Sequence, residues 1–226
     1  MQPNKAIIIV AGGTGTRMGS DIPKQFLKLN GIPILVRTLK NFFNYDPQAK
    51  LVVVMHPESI DHWKRIAEEF NAPNHEIIPG GKERFFSVKN GLDSIDDNTS
   101  YIAVHDAVRP LVSEKTLENC FQALEQHSAV VPVIPINDSI RFVNEEKNES
   151  VDRTKFKRIQ TPQCFHSNIL KKAYDAEYNE LFTDDASVVE ANGHSVFLVE
   201  GNLENIKITS PIDILVGEAL INSLKS

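Results

Sequence analysis

Short apolar runs alternate with amphipathic stretches along most of the chain. Runs rich in Ile and Val predict β-strands at 6–11, 50–55, 75–80, 101–106, 129–136 and 195–200. Apolar residues at successive positions are typical of strands that are covered on both faces of a sheet. The stretches between these runs have helical spacing and predict helices at 33–43, 57–70, 113–127, 183–192 and 210–224.

Cap residues mark where several of these helices begin and end. Ser113, Thr183 and Ser210 stand directly before helical runs and are the predicted N-caps, and Gly193 stands just beyond the fourth helix. The alternation of strand and helix predicts an α/β fold with a mainly parallel sheet and helices on both of its sides. The sequence has no repeat, linker or low-complexity tract, so we expect residues 1–226 to form a single domain.

One segment departs from this pattern. Residues 137–157 are rich in charge and contain two alternating runs, SIRFV and TKFKRIQ, on either side of a polar tip. We interpret the segment as a β-hairpin arm that projects from the domain. A disordered loop is the alternative, because the charge density would also allow it.

Composition narrows the classes of partner. The chain has 226 residues, a net charge of −6 and a pI of about 5.7. This acidic balance argues against general binding of nucleic acid or an anionic membrane, which needs a basic face, but not against small anions. The N-terminal apolar run is shorter than a signal or membrane segment, and Cys120 and Cys164 lack metal-site spacing. We therefore expect a cytoplasmic protein with reduced thiols.

A glycine-rich turn, AGGTGTRMGSDIPKQF at 11–26, follows the first predicted strand. It lacks the GxxxxGK[ST] pattern of P-loop proteins. It also fails the GxGxxG pattern of dinucleotide-binding enzymes, because Met18 occupies the third glycine position. Gly12, Gly13 and Gly15 allow backbone N–H groups to converge on one point, as in nests that bind phosphate oxygens.

Two basic residues follow these glycines. Arg17 supplies a guanidinium fork and Lys24 a point charge, and Pro23 restricts the chain just before Lys24. Each alone would more often be a solvated surface charge. Their common position after this turn predicts a phosphate-binding loop.

Asp106 is the candidate metal ligand. It ends a predicted strand in VHDAVRP (104–110), and ligands of open α/β sheets bind beyond the carboxyl ends of strands. Mg²⁺ binds few carboxylates together with phosphate oxygens, so one Asp in a basic site suits it. A turn cap or an ion pair with Arg109 is the alternative, and His105 is expected to pack or hydrogen-bond on the other face.

The motifs together carry a resemblance. The glycine-rich loop, GGKERFFSV (80–88), VHDAVRP, VDR (151–153), QTPQ (160–163), TDDAS (183–187) and NIKIT (205–209) occur in this order over nearly the whole chain. In this combination the chain resembles the cytidylyltransferase branch of the nucleotidyltransferases, which makes CDP-methylerythritol. The resemblance implies a Rossmann-like three-layer α/β/α nucleotidyltransferase fold with the arm serving for homodimerisation.

The resemblance also implies roles for individual residues. It implies that CTP is bound by Ala11, Gly12, Gly13, Gly15, Gly81, Arg84 and Ser87. It implies that the acceptor is bound by Arg109, Ser139, Arg153, Thr161, Thr183 and Lys207. Arg17, Lys24, Arg153 and Lys207 are the implied catalytic residues, and Asp106 binds Mg²⁺ or another divalent cation. If the arm is exchanged across a dimer, Arg153 completes the neighbour's site.

The resemblance implies cytidylyl transfer from CTP to 2-C-methyl-D-erythritol 4-phosphate. The sequence shows no nucleophile paired with a base, which fits direct in-line transfer. Val108 departs from the alanine that is commoner in the methylerythritol branch, so ribitol 5-phosphate is the alternative acceptor. The VDR motif and the short EGNLENIKIT connection favour methylerythritol phosphate. A non-catalytic nucleotide-binding module is a second alternative, and a dehydrogenase is disfavoured by the shifted glycine.

Overall fold

The computed structural model describes residues 4–13 and 22–224 and has a central mixed sheet of eight strands. The strands of this sheet are β1 (Lys5–Ala11), β4 (Lys50–Met55), β5 (Glu76–Pro79), β6 (Tyr101–Asp106), β7 (Ala129–Pro135), β10 (Lys157–Ile159), β11 (Gln163–His166) and β12 (Phe197–Glu200). Two short hairpins are formed by β2 (Lys28–Leu29) with β3 (Ile32–Pro33) and by β8 (Arg141–Val143) with β9 (Asn148–Ser150). The helices are α1 (Ile34–Tyr45), α2 (Ile60–Glu69), α3 (Arg84–Asp93), α4 (Glu114–Ala123), α5 (Ser167–Ala173), α6 (Asp185–Ala191) and α7 (Pro211–Ser223).

The sheet has the strand order β10-β7-β11-β6-β1-β4-β5, with β12 paired to β7. The pairs of β1 with β4 and β6, of β4 with β5 and of β7 with β12 are parallel. The strands β10 and β11 are antiparallel to their neighbours. The predicted mainly parallel α/β fold is therefore confirmed, and β11 is a strand that the apolar pattern did not predict.

Alternating side chains of β1 pack into two separate cores. Ile7 and Ile9 lie on one face with α1, α2 and α4, and Ala6 and Ile8 lie on the other face with α3, α5 and α6. All four are almost fully buried. Because successive residues of a strand point to opposite faces, this arrangement explains why the run is apolar at every position.

The helix starts confirm two of the three predicted N-caps. The Ser113 hydroxyl accepts a hydrogen bond from the Thr116 N–H, and Ser210 precedes α7 in a capping box with Asp213. The prediction for Thr183 is wrong by one residue. Asp184 is the N-cap of α6, because its carboxylate accepts a hydrogen bond of 2.9 Å from the Ser187 N–H.

The segment 137–157 differs in its pairing from the predicted hairpin. The strand β8 pairs with β9 rather than with the run TKFKRIQ, and β10 instead joins the central sheet beside β7. The Asn144 side chain closes the tight turn by accepting hydrogen bonds from the N–H groups of Glu146 and Lys147. Phe142 and Val143 are 51% and 68% exposed, so the hairpin presents apolar side chains to solvent.

The structure also bears on the state of the two cysteines and on membrane spanning. Cys120 and Cys164 are buried free thiols. Among residues 4–13 and 22–224, none of the helices combines the length and the apolar character needed to cross a bilayer.

Gly91 sets how closely α3 packs on the sheet. A Cβ at this position would lie only 3.0 Å from Val54 Cγ2 and 3.1 Å from Ile8 Cγ2. We expect Gly91→Leu to lower the free energy of unfolding by about 1–3 kcal/mol, because the larger side chain forces the helix off the sheet. Urea unfolding followed by circular dichroism measures the change. Asp93→Leu, on the exposed face of the same helix, is the control and should stay within about 0.5 kcal/mol of the parent; equal losses would contradict the packing argument.

Candidate active site

A cavity of about 240 Å³ opens at the edge of the sheet where β1 and β6 end. The carboxyl ends of parallel strands are the usual place for ligands in open α/β sheets. The described residues predicted to bind CTP all line this cavity, and so do two predicted catalytic lysines: Ala11, Gly12, Gly13, Gly81, Arg84, Ser87, Lys24 and Lys207. Gly15 and Arg17 lie outside the described residues.

Buried neighbours hold the backbone around Lys24. Gln25 is 2% exposed, and its Nε2 donates a hydrogen bond of 2.9 Å to the carbonyl of Ala11. Phe26 is also buried and stacks on the Trp63 ring. The segment that follows the glycine-rich turn is thereby tied to the end of β1. Gln25 was not predicted as part of the site, although it is a polar residue directly beside a predicted site residue.

Gly80 and Gly81 precede α3 and lie close to its first turn, and Gly81 lines the cavity. The Ser87 hydroxyl accepts a hydrogen bond from the Gly81 N–H and donates one to the carbonyl of Glu83, both at 3.1 Å. A Cβ on Gly81 would lie 2.4 Å from Phe86 Cβ, and one on Gly80 would lie 3.0 Å from Ser87 Oγ. The close approach of Phe86 therefore requires glycine at position 81, and Ser87 holds the loop at the cavity wall.

Asp106 stands at the centre of a cluster of cations. Its Oδ2 lies 3.1 Å from Arg109 Nε and 3.1 Å from Lys207 Nζ, and its side chain is 13% exposed. Burial alone would raise the pKa of Asp106, but the charges of Lys207, Arg84 and Arg109 outweigh it and hold the pKa well below its usual range. The carboxylate therefore stays ionised, and the ion pair with Arg109 that was the alternative reading is present.

Lys207 is brought to Asp106 by a loop rather than by a strand. Residues 205–209 form neither helix nor strand, but the Ile208 N–H donates a hydrogen bond of 2.9 Å to the carbonyl of Val108. Arg109 Nη1 also donates to the carbonyl of Asn205 at 2.8 Å. These bonds fix the loop beside the end of β6, so that Lys207 reaches into the cavity.

His105 supports the site from the buried side. Its Nε2 lies 3.0 Å from the Arg109 carbonyl, which can only accept, and its Nδ1 lies 3.1 Å from the Thr161 hydroxyl. Burial lowers the pKa of His105 to about 4, so the ring is neutral. The Thr161 hydroxyl then donates to Nδ1 while it accepts from the Asp106 N–H at 3.1 Å. His105 is thus a hydrogen-bonding residue, as the strand alternation predicts.

A second cavity of about 310 Å³ adjoins the first. Both cavities are lined by Arg84, Asp106 and Lys207. Predicted acceptor-binding residues also line the second cavity, together with polar residues that were not predicted: Arg109, Thr161 and Thr183, and Gln160, Gln163 and Asp184. The two cavities therefore meet at one carboxylate and two cations.

Two predicted acceptor-binding residues line neither cavity of their own chain. Ser139 and Arg153 are exposed residues of the arm, and neither lines the first or the second cavity. Arg153 donates a hydrogen bond to the carbonyl of Asn137 within the arm.

An ion pair behind the cavities was missed by sequence reasoning. The Arg84 guanidinium makes two hydrogen bonds to Asp185, with Nη1 2.9 Å from Oδ1 and Nη2 2.5 Å from Oδ2. Asp185 is fully buried, and its Oδ1 also accepts a hydrogen bond of 2.7 Å from the Tyr174 hydroxyl. The only signal in the sequence was the pair of acids in TDDAS, which the helix start alone could explain.

Comparisons with known proteins agree with this geometry. The family model of 2-C-methyl-D-erythritol 4-phosphate cytidylyltransferase matches residues 5–223. A relative with that name from Bacteroides thetaiotaomicron is 46% identical over 218 residues, which are 96% of this chain and 99% of the relative.

Solved structures of similar name share the fold. The crystal structure of 2-C-methyl-D-erythritol 4-phosphate cytidylyltransferase from Thermus thermophilus superposes with a TM-score of 0.78 at 30% identity, over 98% of this chain and 100% of that one. That of 4-diphosphocytidyl-2C-methyl-D-erythritol synthase from Anaerococcus prevotii gives a TM-score of 0.83 at 25% identity, over 97% and 96% of the two chains. The match over nearly every residue shows that this chain belongs to the 2-C-methyl-D-erythritol 4-phosphate cytidylyltransferase family.

Proposed function

We propose that this chain transfers the cytidylyl group of CTP to 2-C-methyl-D-erythritol 4-phosphate and releases pyrophosphate. Family membership supports the reaction, and the observation that carries it is the pair of adjoining cavities. The first cavity has the glycine-rich walls suited to a nucleotide, and the second has the cations and hydroxyls suited to a polyol phosphate. Because both are lined by Arg84, Asp106 and Lys207, the two substrates meet at these residues.

The chemistry is an in-line displacement. A phosphate oxygen of the acceptor bonds to the α-phosphorus of CTP, and the bond from that phosphorus to the bridging oxygen of the β-phosphate breaks, so that pyrophosphate leaves. Lys207 holds the attacking phosphate, and Lys24 and Arg17 stabilise the charge that grows on the transferred group. Catalysis by positioning and charge neutralisation needs no covalent intermediate, in agreement with the buried state of both cysteines.

The hydroxyl of Ser87 suits the amino group of cytosine. Its hydrogen is donated to the Glu83 carbonyl, and one of its two lone pairs accepts from the Gly81 N–H. The second lone pair is left to accept a hydrogen bond from a ligand. The cytosine N4 amino group is a donor, whereas uracil has a carbonyl at the same position. This arrangement favours CTP over UTP in the proposed nucleotide cavity.

The residues at the cavity junction fit a divalent cation. Arg109 and Lys207 both contact Asp106 Oδ2, so Oδ1 is the oxygen offered to a metal ion. Mg²⁺ needs few protein carboxylates when phosphate oxygens and water complete its coordination. Asp106 would hold Mg²⁺, which would offset the negative charge of the triphosphate when bound.

The arm supports a proposed homodimer. Phe142 and Val143 expose apolar surface at its tip, and Phe156 is 46% exposed near its base. Since Ser139 and Arg153 lie apart from the cavities of their own chain, we propose that they complete the acceptor cavity of a partner. Both substrates are soluble phosphates, which agrees with the proposed cytoplasmic location.

We expect purified protein with CTP and Mg²⁺ to release pyrophosphate in the presence of 2-C-methyl-D-erythritol 4-phosphate. The rate with ribitol 5-phosphate should be lower by a factor of about 100 or more, since a misplaced attacking oxygen loses most of the benefit of positioning. A coupled pyrophosphate assay compares the two acceptors, with CTP alone as the blank. Faster turnover of ribitol 5-phosphate would reassign the acceptor, and CTP binding without turnover of either would favour the non-catalytic alternative.

Asp106→Asn tests the proposed cation site. We expect kcat to fall by a factor of about 10²–10³, and the Mg²⁺ concentration needed for half-maximal rate to rise, because the amide is a weaker metal ligand and carries no charge. Rates measured over a series of Mg²⁺ concentrations separate the two effects. Asp61→Asn, at a side chain that is 92% exposed on α2, is the control and should match the parent; an unchanged Mg²⁺ dependence in Asp106→Asn would remove Asp106 as the ligand.

Mixing two inactive variants tests the proposed exchange of the arm. If Arg153 acts in the partner's site and Lys207 in its own, a dimer of one Arg153→Ala and one Lys207→Ala chain has one intact site. Random reassembly should then restore about a quarter of the parent activity, because half of the dimers are mixed and each has one working site.

The control mixes Lys207→Ala with Asp106→Asn, two changes in the same site, and should restore nothing. Failure of the first mixture to exceed this control, with mixed dimers demonstrated by differently tagged chains, would place Arg153 in its own chain's site or in none.

A further inference from the structure

We propose that Asp185 is a positioning residue that holds Arg84 at the junction of the two cavities. The inference rests on the proposed function, because it assigns Arg84 to substrates of that reaction. It concerns a carboxylate that lines neither cavity and touches no substrate in the proposed arrangement.

Among the described side chains that hydrogen-bond to Asp185, Arg84 is the one that lines the cavities, so Asp185 acts on a bound substrate through Arg84. Both carboxylate oxygens of Asp185 accept from the Arg84 guanidinium, at 2.9 and 2.5 Å, and the remaining hydrogen bond of 2.7 Å comes from Tyr174. Arg84 is the first residue of α3 and lines both cavities, with its side chain 31% exposed. A guanidinium has five N–H donors, so Asp185 engages two and leaves three for substrate oxygens.

The Asp185 carboxylate is itself held rigidly. It is the first residue of α6, where the cap hydrogen bond of Asp184 to the Ser187 N–H fixes the helix start. Gln163 braces the same turn, since its Nε2 donates to Asp184 Oδ2 and its Oε1 accepts from the Ala186 N–H, both at 2.8 Å. Asp185 therefore offers Arg84 a fixed, bidentate anchor, and Arg84 is ordered before a substrate arrives.

The electrostatics agree with this arrangement. Burial alone would lower the pKa of Arg84, but the Asp185 carboxylate outweighs it and raises that pKa above its ordinary value. Burial, with Asp185 as the next cause, raises the pKa of Tyr174 well above its usual range, so its hydroxyl remains a donor. Tyr174 also stacks on Phe85, the neighbour of Arg84, with ring centroids 4.7 Å apart.

A double-mutant cycle tests whether Asp185 acts through Arg84. We expect Asp185→Asn to lower kcat/KM for CTP and for the acceptor by about 10- to 100-fold, because the guanidinium loses its fixed position. In an Arg84→Ala background, the same Asp185→Asn change should alter kcat/KM by less than about twofold, since the group it positions is already gone. Effects that multiply in the double variant would overturn the proposal, and so would a folded Asp185→Asn protein with parent kinetics.

Further variants separate positioning from folding. Asp97→Asn, which breaks the exposed ion pair with Lys171, is the matched control and should leave kinetics unchanged. Tyr174→Phe removes one hydrogen bond to Asp185 while it retains the ring, so it gives the same cycle if Asp185→Asn does not fold. A loss of about two- to fivefold that disappears in the Arg84→Ala background supports the proposal, and an equal loss in both backgrounds contradicts it.

CTP affinity by titration calorimetry distinguishes this inference from the proposed function. If the parent protein binds CTP but releases no pyrophosphate with either acceptor, the proposed reaction fails. The cycle can still be read from the dissociation constants for CTP, which Asp185→Asn should raise only when Arg84 is present. If the parent protein turns over its substrates but Asp185→Asn has the same effect with and without Arg84, only the positioning role is refuted.

Discussion

The site depends on one partly buried carboxylate, that of Asp106, which is surrounded by cations. Asp106 accepts from Arg109 and Lys207 through the same oxygen, and its pKa is held low by these two residues and by Arg84. A cavity that must receive phosphates needs several cations close together, and without a ligand these would repel one another. A carboxylate at their centre keeps the cations in place before a substrate binds. Its position at the end of β6 ties this cluster to a strand whose interior residues are buried.

Hydrogen bonds behind the cavity connect Asp106 to the loop that bears Lys207 and to the turn before β11. The loop that bears Lys207 has no regular secondary structure, so it depends on contacts such as that of Arg109 with the Asn205 carbonyl. Asn205 in turn donates a hydrogen bond of 2.8 Å to the carbonyl of Thr161, and Thr161 reaches back to the N–H of Asp106. A closed circuit of hydrogen bonds therefore joins the end of β6, the turn before β11 and the Lys207 loop. A change in any of the three elements would be felt at the Asp106 carboxylate.

The sequence predicted what local pattern can determine. Strands buried on both faces and amphipathic helices follow from the spacing of apolar residues, and the place of Asp106 follows from its position after such a strand. The partners of Arg84 could not be predicted in this way, because Asp185 is 101 residues further along the chain. The pairing of β8 with β9 was missed because β9, Asn148–Ser150, has no apolar alternation. The N-cap of α6 was displaced because Thr183 and Asp184 are adjacent residues that can both cap, and only the Ser187 contact selects between them.

The charge of the second cavity bears on the proposed dimer. Its lining includes Arg84, Arg109 and Lys207 as cations and Asp106 and Asp184 as carboxylates. This near balance suits the protein without substrate, but a polyol phosphate and a triphosphate together bring several negative charges to the junction. Lys24 in the first cavity offsets part of this charge, and groups that arrive with the substrates or with a partner would offset more. In the proposed arrangement, a divalent cation on Asp106 would bring positive charge with the substrates, and an arginine on the arm of a partner would add to it. Arg153 lies apart from the cavities of its own chain, but in the proposed dimer it would add positive charge to the acceptor cavity of the partner.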